Sequence, residues 1–146
     1  IDLKIDHQVK RFKKHTNNLE QKQIKSKLEN EKLGMRAIDL FFKKINNLAN
    51  TKKVILMVDG DRSSIYNGKI KRDKDVLANR WFEKVLSLGQ AQENKNLHLL
   101  DLQTVFVKDW KKNQKKFNYE YDSHWNERGH SIAGKALADI LKKITN

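Results

Sequence analysis

Between Lys53 and Asp59-Gly60-Asp61 lies Val54-Ile55-Leu56-Met57-Val58, an unbroken apolar run rich in β-branched residues. A strand with one wet face alternates apolar and polar side chains. An unbroken run this short reads instead as a strand covered on both faces, the habit of parallel sheets. A parallel strand needs a crossover to reach its neighbour, usually a helix. The chain supplies one: Leu77, Trp81, Val85 and Leu88 recur at helical spacing over about 75–90. Asn96-Leu97-His98-Leu99-Leu100-Asp101-Leu102 then reads as the next strand. Strand, helix, strand, helix implies βαβ units with right-handed crossovers, an α/β fold with a short parallel sheet. Sites in such sheets form outside the carboxyl ends of the strands.

The segments on either side are mainly helical. Ile1 to Ile5 alternates apolar and polar, which predicts a short strand. Val9, Phe12, Thr16 and Leu19 predict a helix over 7–31, Gly34 predicts a break, and a second helix follows over 36–50. In the second, Ile38, Phe41, Phe42, Ile45, Leu48 and Ala49 fall on one face as a core stripe. After the second strand come a short amphipathic piece with Val105, Phe106 and Trp110, and a basic loop, Lys111 to Lys116. Ile132, Ala136, Leu137, Ile140, Leu141 and Ile144 mark the buried stripe of a last helix, and His98 reads as a core or edge histidine. No internal repeat is evident.

The chemistry concentrates in Tyr121-Asp122-Ser123-His124-Trp125-Asn126-Glu127-Arg128-Gly129-His130. This stretch resembles the D-x-H-W-N-x-x-G-H block that closes the SGNH/GDSL hydrolases, in the branch acting on surface polysaccharides and related acyl esters. The likeness is close over the last quarter of the chain and looser in the middle. It implies a partial flavodoxin-like, three-layer fold. It also implies a single domain over 1–146 that is the C-terminal portion of such a hydrolase, with 1–50 mainly helical and 51–146 βαβα. By the resemblance, His124 is the general base and Asp122 the acid that orients it. A serine is a poor nucleophile until a base takes its proton, and a carboxylate on the far imidazole nitrogen fixes the tautomer that can do so. Asn126 reads as the N-cap of the last helix. Trp125 reads as a packed anchor beneath the loop, and His130 as structural.

The family's Gly-Asp-Ser nucleophile motif is absent. Gly60-Asp61 is followed by Arg62, with Ser63 and Ser64 one and two places too late, so these serines read as a turn after the strand. Asp59 to Tyr66 resembles the family's P-x-R/K-x-x-Y segment without its proline, which makes Arg62 a candidate for contacting an acyl or sugar group. The expected function is a serine esterase or O-acyltransferase acting on ester-linked acyl groups, with O-acetylated carbohydrate among the substrates and the nucleophile outside this chain. Two alternatives stand beside it, an inactive SGNH-like binding module and a basic nucleic-acid-binding domain.

Composition narrows these. The net charge is +13, and residues 1–53 alone hold 14 Lys/Arg against 6 Asp/Glu, so the excess lies away from the Asp-His block. With no nucleic-acid-binding motif in sight, that charge reads as a lysine-coated helix. Cysteine is absent and no H-E-x-x-H or Gly-rich phosphate loop occurs, so neither metal nor cofactor is expected. No run is long enough for a membrane span. The partner is a small-molecule or carbohydrate ester, and the oligomeric state stays open. The resemblance places the protein in the cell envelope or outside the cell.

Overall fold

The computed structural model describes the backbone of residues 2–145 and the side chains of residues 21–145. It contains α1 (Asp2–Ala49), β1 (Val54–Val58), α2 (Arg62–Tyr66), α3 (Leu77–Gln90), β2 (Leu97–Asp101), α4 (Leu102–Asn113) and α5 (Glu127–Thr145). The chain divides into two units, residues 1–37 and 38–146. In the first, residues 21–30 of α1 are all exposed, Ile24 and Leu28 among them.

Two expectations for the front of the chain fail. Residues 2–5 are helical, not extended, and Gly34 does not divide two helices. A glycine inside a helix costs only about 1 kcal/mol. Leu33-Gly34-Met35-Arg36 offers no capping side chain and no proline to turn that cost into a stop. The core stripe is also narrower than its spacing predicts. Phe42 and Ala49 are buried and Ile38 and Ile45 half-buried, whereas Phe41 and Leu48 face solvent.

The second unit is α/β. β1 and β2 form a parallel two-stranded sheet in the register Val54–Leu97 to Val58–Asp101. The two faces of β2 meet different helices. Leu99 packs so closely on α3 that a Cβ on Gly89 would lie 2.5 Å from it. Leu100, on the opposite face, joins Ile65, Leu102, Phe106, Phe117 and Ala133 in the main core. Ile132, Ala136, Leu137 and Ile140 of α5 pack against that cluster, while Leu141 is exposed. The C-terminal turn of α1 is tied in by Asn96, whose side-chain amide donates to the Ala49 carbonyl at 2.8 Å.

Phe106 is the centre of the core, stacked on Phe117 at 4.6 Å and edge-on to Trp125. Gly129 lets the first turn of α5 approach this cluster: a Cβ there would meet the Phe117 carbonyl at 2.5 Å. At Gly134, five residues on, an added Cβ meets nothing within 4 Å. Asp109 and Arg128 join α4 to α5 by an ion pair.

Candidate functional site

Two structures meet at the carboxyl end of β1: a braced corner and a projecting loop. The corner begins with Asp59, whose carboxylate accepts from the Gly60 amide at 2.7 Å, from Arg62 at 3.3 Å and from the Trp125 indole at 3.2 Å. Asp61 caps α2 by accepting from the Ser64 amide. Its other oxygen takes the Asp73 amide at 3.0 Å and the Asn79 side chain at 2.7 Å. Burial works against its charge, but the bonds from Asp73, Ser64 and Asn79 prevail and hold the Asp61 carboxyl below its ordinary value. Gln103 accepts from the Asp61 amide and donates to the Ile70 carbonyl.

Arg72 closes the corner. Its side chain is 2% exposed and bridges the ends of both strands, donating to the Asp59 carbonyl at 2.6 Å and to the Asp101 carboxylate at 2.5 Å. Asp101 meanwhile caps α4 through the Gln103 amide. The positions of the two strand exits are therefore fixed by one buried cation.

The loop carries the Asp-His pair. The Asp122 carboxylate accepts from the His124 amide at 2.9 Å and lies 2.5 Å from His124 Nδ1. The His124 amide first, and its imidazole second, hold the Asp122 carboxyl below its ordinary value. With Nδ1 facing the carboxylate, Nε2 is left to face outward. The side chains are 84% and 51% exposed for His124 and Asp122, so water screens the pair. Among the described residues no serine hydroxyl is hydrogen-bonded to the imidazole.

Bonds at the base of the loop set its position. Asn118 and Trp125 form an antiparallel bridge, and the Asn126 side chain donates to the carbonyls of Lys116 and Asn118. Asn126 also caps α5 by accepting from the Gly129 amide at 3.0 Å. The Tyr66 hydroxyl accepts from the Phe117 amide at 2.8 Å and donates to Asn118 at 2.5 Å. Burial raises the Tyr66 pKa and keeps that donor protonated.

Arg62 does not touch His124 directly; the two are linked through Asp59 and Trp125. Arg62 is largely buried and lines a cleft of about 480 Å³ with Ser63, Tyr66, Lys116, Asn118 and Ser123. One Arg62 guanidinium nitrogen, Nη1, is buried without a hydrogen-bond partner. Ser63 is exposed on the cleft and Ser64 is buried in the first turn of α2, where the sequence reading has only a turn. His130 lies edge-on to Trp125 at 5.4 Å but is otherwise exposed. Among the described residues no group of three His, Cys, Asp or Glu side chains could hold a metal ion.

Sequence reasoning missed Arg72 and Asn79 as parts of the site, and took Asp59, Asp61 and Tyr66 only as members of the segment around Arg62. Asp61 at the start of α2 carried a capping signal. Arg72 and Asn79 act on residues distant in the chain and leave no local pattern.

No curated protein and no solved structure matches the chain. A family described as "SGNH hydrolase-like domain, acetyltransferase AlgX" matches residues 36–145, almost the whole of the second unit. No described helix is long and apolar enough to cross a membrane. With β1, β2 and their flanking helices placed as an α/β fold requires, and with the match covering most of its length, the chain belongs to this SGNH hydrolase-like family.

Proposed function

We propose that the second unit carries the acid–base half of an acyl-transfer centre acting on ester-linked acyl groups, with O-acetylated carbohydrate as the preferred substrate. The observation that carries this is the 2.5 Å contact between the Asp122 carboxylate and His124 Nδ1. A carboxylate there favours the tautomer with Nε2 unprotonated and stabilises the imidazolium that forms. Nε2 takes the proton of an attacking serine hydroxyl as its oxygen bonds to the acyl carbon. The tetrahedral intermediate then expels the alcohol oxygen, and the imidazolium returns the proton to it. Water or an acceptor hydroxyl repeats these steps to release the acyl group. The acetyltransferase character of the matching family favours acetyl as that group.

In this reading the chain is the C-terminal portion of the hydrolase domain, and the serine lies outside residues 2–145. Arg62 faces the substrate from the cleft. The test uses the full-length protein. His124→Ala is expected to lower ester turnover by ~10³-fold or more, and Asp122→Ala by less, because triad members act as a unit. Full turnover in His124→Ala would end the proposal. The 146-residue chain alone is expected to resist labelling by a fluorophosphonate probe. Labelling that disappears in Ser63→Ala would move the nucleophile to the cleft. The exposed pair, with no serine hydroxyl hydrogen-bonded to its imidazole among the described residues, also supports a second reading, a binding module that keeps the SGNH shape without turnover.

A further inference from the structure

The loop that carries His124 has two arms, and a different residue ties each to the rest of the unit. Tyr66 holds the outgoing arm, through the Phe117 amide and the Asn118 side chain. The returning arm begins at His124 and is tied by its neighbour Trp125, whose indole N–H donates to the Asp59 carboxylate at 3.2 Å. Among the described residues the His124 side chain bonds only to Asp122, and it is 84% exposed. Packing therefore does little to place the imidazole, which inherits its position from the backbone at Trp125.

Asp59 is built to set that position. Its carbonyl accepts from the buried Arg72 at 2.6 Å. The carboxylate oxygen that meets the indole also accepts from the Gly60 amide at 2.7 Å. The acceptor is thus fixed to the exit of β1 whatever the loop does. The Trp125 ring sits edge-on to Phe106 and His130, contacts that seat it without dictating where its N–H points. A hydrogen bond is directional, and this one turns the N–H towards the strand. The cleft is lined by Asp59 from the β1 exit and by Ser123, the residue before His124, from the loop. The Asp59–Trp125 bond joins those two linings, and so sets how far His124 stands from whatever the cleft holds.

We infer that Asp59 is a positioning residue: through the Trp125 indole it fixes the place of the His124 imidazole relative to the cleft. The inference rests on the acyl-transfer reading for what the imidazole does there, and on the hydrogen bonds alone for where it stands.

The experiment reads backbone order in the chain by NMR and ester turnover in the full-length protein. In Asp59→Ala the order parameters of the Ser123 and His124 amides are expected to fall from about 0.85 towards about 0.6. Asp59→Asn keeps an acceptor for the indole and should keep them high. Trp125→Phe leaves the β1 exit untouched and a ring against Phe106, and should reproduce the fall. The double variant should fall no further than either alone, because the two residues act through one bond. Asp59→Ala is also expected to lower kcat by about tenfold with KM within about twofold, since a misplaced base slows the step more than it weakens binding, and Asp59→Asn should restore it. Order parameters that stay high in Asp59→Ala, or that fall as far in Asp59→Asn, refute the positioning role even where His124→Ala abolishes turnover. An unchanged kcat beside a loosened loop refutes it as well. A fall that Asp59→Asn restores, in a protein whose turnover ignores His124→Ala, would keep the tie and remove the acyl-transfer reading.

Discussion

The β1 corner and the Asp-His loop lie against each other, yet they are built on opposite plans. In the corner the polar side chains that hold the strand ends are cross-linked to distant segments: Asp61 to Asp73 and Asn79, Gln103 to Asp61 and Ile70, Arg72 to Asp59 and Asp101. In the loop the side chains of the reactive pair are bonded only within the pair, two residues apart, and stand in water. The corner spends its polar groups on fixing where strands end. The loop leaves its polar groups available for a ligand and relies on Tyr66, Trp125 and Asn126 to hold its base. Catalytic side chains held on loops by a rigid scaffold follow this division of labour.

The comparison breaks most easily at Arg72. Arg72→Met leaves Asp101 and the Asp59 carbonyl without their buried partner and is expected to cost about 3 kcal/mol, seen as a lower urea midpoint. A midpoint within the error of the parent would mean that the corner is not a brace. Tyr66→Phe tests the seam between the two regions. It removes both hydrogen bonds to the loop's base and should cost about 1 kcal/mol, with broadened amide resonances over residues 117–124. Unchanged resonances there would show that the loop stands without the seam.

The smallest effect on folding belongs to the reactive pair. Asp122→Asn should leave the unfolding midpoint where it is, because both partners are exposed. Acid separates the two regions in the same way. Asp61 and Asp122 are each held below the ordinary carboxylate value of 3.8. The partly buried Asp61 contributes stability above that pH and loses it as pH falls through its folded value, whereas water screens the exposed Asp122 pair. Loss of Asp61's charge should lower global stability. Loss of Asp122's should only free the His124 ring, read as a change in imidazole shifts ahead of unfolding. Simultaneous loss of both signals would erase the distinction.

The same contrast explains what could be read from the chain. The Asp-His pair is legible because its geometry is local: spacing by two residues in a turn places carboxylate and imidazole together. The strands were legible because parallel strands are apolar runs. The corner was not, since Asp61–Asn79 and Arg72–Asp101 join residues whose types alone do not announce each other. The continuity of α1 through Gly34 was hidden for another reason. Gly34 interrupts the apolar pattern, but no cap or proline turns the interruption into an end. Exposure of Phe41 and Leu48 shows that a helical stripe overstates the width of the buried face.

The two glycines of α5 carry this into sequence drift. Gly129 sits where any side chain would strike the Phe117 carbonyl, directly under the segment that leads to His124. Gly134 faces open space, where alanine would only favour the helix. Under random substitution the first glycine is trapped by its neighbours, while the second is free to wander. Within one helix, tolerance to mutation therefore changes over five residues, and the intolerant end is the one that seats the loop.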